Sequence, residues 1–158
     1  MKLYLMRHGP AEDVAPTGRD FDRALTAAGR ERTRRVADAL VEREEAPRLI
    51  LSSPLVRALQ TAEIVSAIAK PTEPISIRRE MAPGGDARSL VFELLSNGAR
   101  RVMVVGHEPD ISSLAASLVG PLWTGSFEKS MVLGLRMREG VNPELRFILE
   151  PKTLTWRS

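Results

Sequence analysis

The chain has 158 residues, 43% hydrophobic and 27% charged, the balance of one globular domain spanning 1–158 that buries a core without disulfides or a structural metal. It contains no cysteine, which excludes disulfides, thiolate chemistry and cysteine-based zinc or iron–sulfur sites. A net charge of +3 suits an anionic partner, but the basic residues are scattered among acids and only one Tyr, two Trp and four Phe are available for stacking, so no nucleic-acid partner is expected.

The apolar run at the N-terminus, Met1-Lys2-Leu3-Tyr4-Leu5-Met6, is too short for a signal-peptide core, and no stretch approaches a membrane span. A cytoplasmic protein without a membrane partner is expected. Lys2–Met6 reads as a short strand. Thr26 to about Glu42 reads as a helix, with Thr33, Val36, Ala37, Leu40 and Val41 on one face. Arg48–Ser52 reads as a buried strand. Ser53-Pro54 then offers an N-cap and a proline at the first helical position, with Leu55, Leu59, Ala62 and Val65 facing inward as far as Ala69. Ile75–Ile77 is a short strand, and Pro83-Gly84-Gly85-Asp86 is a turn into a helix carrying Leu90, Val91, Leu94 and Leu95. Arg101–Val105 is the clearest central strand. After it comes a helix with Ile111, Leu114, Ala115, Leu118 and Val119 on one stripe. Ser130–Met137 and Leu145–Leu149 read as two strands joined by a polar turn around Gly140 and Asn142-Pro143. The alternation predicts an α/β domain with a mainly parallel sheet and an antiparallel C-terminal edge. Trp123, Phe127 and Trp156 suit either the core or an interface.

The chain has two histidines, and each follows a predicted strand directly, in Arg7-His8-Gly9 and Gly106-His107. Ligands in parallel α/β sheets bind beyond the carboxyl ends of the strands. A third strand exit, Ser52-Ser53-Pro54, starts a helix whose first turn holds Arg57. If the strands are neighbours, Arg7, His8, Arg57 and His107 converge. Two guanidinium groups can hold phosphoryl oxygens, helix N-termini after Ser53 or Glu108 can add backbone donors, and a neutral imidazole can attack phosphorus. A metal pair is the competing arrangement, His8 and His107 with Glu108 or Asp110, but Arg7 beside His8 would repel a cation.

Three blocks resemble the histidine phosphatase (phosphoglycerate mutase-like) superfamily, in that family's order. They are Leu5-Met6-Arg7-His8-Gly9, the run from Ser52 through Arg57 to Ala62, and Val105-Gly106-His107-Glu108-Pro109. The resemblance implies a three-layer α/β/α fold and no metal or organic cofactor. It implies that His8 is the phosphorylated nucleophile and that Arg7, Arg57 and His107 bind the phosphoryl group. Glu80, shortly before a glycine turn, matches best as proton donor; Asp86 and Glu108 are rivals, and a working acid must stay protonated near neutrality. The short chain, the Asp20–Gly29 segment and the Glu80–Asp86 segment resemble the SixA-type phosphohistidine phosphatases, small bacterial enzymes with an open pocket. That likeness implies a partner protein carrying phosphohistidine. Small phosphate esters are the alternative, and a phosphate-binding regulatory module without catalysis is a third possibility, against which the intact four-residue set argues. Mutases and many small-molecule phosphatases of the family carry Glu or Gln-Thr after Arg-His-Gly and an Asn further along. Pro10-Ala11-Glu12-Asp13 stands here instead, which argues against mutase activity.

Overall fold

The computed structural model describes residues 1–158. Seven strands form one sheet: β1 (Lys2–Arg7), β2 (Leu49–Ser52), β3 (Ser76–Ile77), β4 (Arg101–Gly106), β5 (Val132–Arg138), β6 (Val141–Leu149) and β7 (Trp156–Arg157). Four α-helices flank it: α1 (Ala27–Glu42), α2 (Val56–Ala69), α3 (Ala87–Ser96) and α4 (Asp110–Val119). The strand order is β3-β2-β4-β1-β5-β6-β7. β3, β2, β4 and β1 run parallel, and β5, β6 and β7 continue antiparallel. The predicted α/β class, the parallel centre and the antiparallel edge are all present.

The connections decide which face each helix covers. From β1 through β3 the chain moves one way across the sheet, and from β3 to β4 it turns back, which places α3 on the face opposite α1 and α2. Alternation along β1 serves both layers. Tyr4 and Met6 pack with α1 and α2 against Ile50 and Val105, while Leu3 and Leu5 pack with α3 and α4 against Val102 and Val104. Burial on both faces explains why β1 and β4 read as continuous apolar runs. Trp123 and Phe127 belong to the α3–α4 core, their rings 4.7 Å apart. Trp156 is half-buried and packs on Phe147 with a ring separation of 4.7 Å. No helix is long and apolar enough to cross a membrane.

Thr26 caps α1 by accepting from Gly29 N at 2.9 Å. The buried stripe of that helix stops at Leu40, and Val41 is exposed. The start of α2 also differs from expectation. Ser53 does not cap it; the helix begins at Val56, and its buried face is Arg57, Ala58, Thr61, Ala62 and Val65, with Leu59 only half-buried. The later start turns Arg57 and Thr61 inward beside the end of β1. The β5–β6 turn is tighter than predicted. It closes at Glu139-Gly140, and Pro143 lies inside β6, where an extra residue on that strand breaks the register. A bulge tolerates the missing proline N–H. β7, two residues long, is too short to carry a sequence pattern.

Gly29 carries the closest approach of α1 to the segment after β1. A Cβ at that position would lie 1.9 Å from Pro10 O. Gly29→Ala is therefore expected to destabilise the fold by about 1–3 kcal/mol through overpacking, read as a lower urea midpoint at unchanged slope.

Candidate active site

Parallel pairing places Arg7 opposite Gly106, and His8 N continues the ladder to Gly106 O at 3.1 Å. His8 and His107 consequently leave adjacent strands at the same sheet edge, with ring centroids 5.2 Å apart. β2 ends at that edge too, with Ser52 opposite Val105, and Arg57 sits on the second residue of α2. His8 and Arg57 are each 6% exposed and His107 3%. The four residues singled out for phosphoryl chemistry share one site.

Hydrogen bonding sets the roles of the ring nitrogens of His8. Its Nδ1 lies 2.7 Å from Gly9 O, and a carbonyl only accepts, so Nδ1 carries the proton and Nε2 keeps the lone pair. Gly9 N in turn donates to Thr61 Oγ1 at 3.0 Å, which fixes the segment that holds the ring. Burial pushes His8 down to about 3, against the Gly9 carbonyl, with His107, Arg57 and Arg7 adding to the effect. Burial followed by the Arg57 charge pushes His107 down to about 4. Both rings are neutral at pH 7, so His8 holds a free lone pair in a cationic frame.

Each arginine is held by its terminal nitrogens. Arg7 Nη1 donates to Phe127 O at 2.7 Å. Arg57 Nη1 donates to Asp20 O at 2.9 Å and its Nη2 to Asp20 Oδ2 at 3.2 Å. Burial lowers Arg7 from its ordinary value, with Glu108 acting the other way. The Nε atoms of both arginines and Nδ1 of His107 are buried without a protein partner. Unpaired buried polar atoms are costly and uncommon, and three of the five in this chain belong to this constellation, a set of free nitrogens that an oxyanion would suit.

Asp20 is the contributor that the sequence reading missed. It lies in a short 3-10 turn, Asp20–Asp22, and Arg23 Nη1 braces its Oδ1 at 2.9 Å. A buried arginine demands an acceptor, but nothing in the pattern says which of many acids supplies it. Glu80, the proton-donor candidate, is paired with a cation. Both of its oxygens bind Arg78, at 3.2 and 2.9 Å, and that guanidinium holds its carboxyl below the ordinary range. This is the opposite of the shift a proton donor needs. Asp86 caps α3, accepting from Ser89 N and Ser89 Oγ, and is likewise held low by Ser89. Glu108 accepts from Ser112 Oγ at 2.7 Å, and Asp110 from Gly84 N at 2.7 Å. No three His, Asp or Glu side chains converge as a metal site. A cavity of about 420 Å³ lies elsewhere, between the ends of α3 and α4 and the β5–β6 turn.

The model of the histidine phosphatase superfamily, branch 1, matches residues 3–85, half of the chain, including Arg7, His8 and Arg57. The chain belongs to the histidine phosphatase superfamily. This phosphatase is 34% identical over 165 residues to an uncharacterised protein of Picosynechococcus sp. strain PCC 7002, covering 98% of this chain and 99% of that one. It is 29% identical over 157 residues to the phosphohistidine phosphatase SixA of Escherichia coli K12, covering 98% and 96%. A solved structure of the protein histidine phosphatase SixA complexed with tungstate superposes with a TM-score of 0.90 at 27% identity, covering 98% of this chain and all of that one. These likenesses place the phosphatase in the SixA-type branch.

Two outcomes are expected of this site. Between pH 6.5 and about 4 the unfolded chain binds protons at both histidines that the folded chain refuses. Stability therefore falls on acidification, by up to about 1.4 kcal/mol per pH unit for each ring. Urea midpoints followed from pH 7 to 5 should drop more steeply for the wild type than for His107→Gln. Asp20→Ala should lower turnover about tenfold, the equivalent of ~1.4 kcal/mol in transition-state hold by a loosened Arg57. Its urea midpoint should fall only modestly, because Asp20 O still accepts from Arg57 Nη1.

Proposed function

We propose that this phosphatase removes phosphate from phosphohistidine on a signalling or phosphotransfer protein, through a phosphorylated His8. In this reading Arg7, Arg57 and His107 hold the phosphoryl oxygens. The carrying observation is that all three carboxyl candidates for proton donor are already engaged as acceptors, Glu80 by Arg78, Asp86 by Ser89 and Glu108 by Ser112. A phosphate ester would have to expel an alkoxide, which needs an acid. A phosphorylated imidazole protonated on its other nitrogen leaves as a neutral ring and needs none. The likeness to SixA over nearly the full length supports the same substrate class.

The steps balance without a metal. The His8 Nε2 lone pair forms a bond to phosphorus in line with the leaving nitrogen. The substrate P–N bond breaks, and its electron pair returns to the departing imidazole. His8 keeps its Nδ1 proton on Gly9 O throughout, so the phosphorylated ring carries the positive charge that the substrate ring gives up. Water then bonds to phosphorus through its oxygen, the P–Nε2 pair returns to His8, and the water proton passes to a phosphate oxygen. Donors aimed at the equatorial oxygens supply most of the acceleration in such a site.

Brief incubation with a phosphorylated phosphotransfer domain should label His8 in an acid-labile, base-stable form, and His8→Ala should abolish both label and turnover. Tungstate should inhibit, and EDTA should not. Faster turnover of a sugar-phosphate panel than of the phosphorylated domain would overturn the substrate assignment. Persistent labelling in His8→Ala would overturn the nucleophile.

A further inference from the structure

Ser53 is fully buried at the exit of β2, where the sequence pattern suggested a helix cap. Its hydroxyl makes two contacts instead. Leu55 N donates to Oγ at 3.2 Å, and Oγ lies 2.7 Å from His107 Nε2. A serine hydroxyl carries one proton and two lone pairs. The Leu55 amide can only donate, so that contact uses a lone pair.

Two arrangements remain for the contact with His107. In the first, Nε2–H donates to Oγ. The Ser53 proton is then left without an acceptor in a fully buried place, and His107 Nδ1 becomes a bare lone pair in the oxyanion cradle, where it would repel a phosphoryl oxygen. In the second, Ser53 donates to Nε2. One lone pair and the proton of Ser53 are then used, and the proton of His107 moves to Nδ1. That nitrogen is the buried atom without a protein partner, and as an N–H it becomes a donor for a phosphoryl oxygen.

We propose that Ser53 is a positioning residue that locks His107 in its Nδ1–H tautomer and so turns the ring into a phosphoryl donor. The lock matters because a neutral imidazole has a single N–H to place, and burial keeps His107 neutral. His8 and His107 thereby hold the same tautomer for opposite ends: Gly9 O keeps the His8 proton away from phosphorus, while Ser53 sends the His107 proton toward it. The inference rests on the phosphoryl-binding site of the preceding reading but not on the identity of the substrate.

The tautomer can be read directly in protein labelled with ¹⁵N-histidine and saturated with tungstate at pH 7, from the one- and two-bond proton–nitrogen pattern of each ring. The chain has two histidines, so His8→Ala assigns both spectra. His107 is expected as Nδ1–H in the wild type. An Nε2–H or doubly protonated ring there would overturn the proposal without any variant at Ser53. Ser53→Ala should weaken the tautomer preference and lower kcat about tenfold, with KM changing less. An unchanged tautomer with kcat within about twofold of wild type would also overturn it. Failure of the phosphohistidine substrate in turnover assays would leave the tungstate readout intact, so the two readings fail separately.

Discussion

Parallel pairing of β1 with β4 is the constraint on which the site depends. Arg7 opposite Gly106 fixes where both strands end, and His8 N closes the ladder on Gly106 O. A slip of one residue would send one imidazole to the opposite face of the sheet, because side chains alternate. The alternation of Tyr4 and Met6 with Leu3 and Leu5, each pair buried in a different layer, forbids that slip. Core packing on both faces thus sets the spacing of two catalytic-edge residues that are 99 positions apart in sequence.

On this frame the site solves an electrostatic problem. Phosphoryl transfer needs positive charge around the oxygens and an uncharged nucleophile among those charges. Burial and the neighbouring arginines keep both rings neutral. Arg7 and Arg57 are anchored at their terminal nitrogens by Phe127 O and Asp20, which leaves each Nε unpartnered. Anchoring one edge of a guanidinium fixes the other before an anion arrives, so little reorganisation accompanies binding. Three buried nitrogens without protein partners carry a desolvation cost that the core beneath them offsets.

The pairing of the candidate acids bears on the proposed substrate class. Arg78 on Glu80 and Ser89 on Asp86 hold these carboxyls low. Such a site suits a leaving group that brings its own proton, and a phosphorylated imidazole does. Transfer from one imidazole to another is also close to balanced in energy, because the bond formed resembles the bond broken. In the proposed reaction the arginines and His107 have charge to stabilise rather than a poor leaving group to expel.

Local pattern was enough for much of this protein. Strand exits at His8 and His107, the helix from Thr26, the valine-rich β4 and the antiparallel ending were legible because apolar periodicity and caps act over a few residues. The family motifs made Arg7, His8, Arg57 and His107 legible as a set. Other features were decided by partners distant in the chain. Asp20 reaches Arg57 across 37 positions, and Ser53 reaches His107 across 54. Glu80 fits a motif, yet its pairing with Arg78 depends on how the Arg79–Met81 turn sits. Val41 obeys the helical spacing but falls beyond the width of sheet that α1 covers. Sequence by itself determined which strands end at the shared edge and which His and Arg residues leave them, since those follow from local periodicity and residue type. Only the tertiary structure decided which nitrogen of each ring bears the proton, which arginine edges are free and which carboxyls stay ionised, because hydrogen-bond partners and burial arise only when remote segments meet.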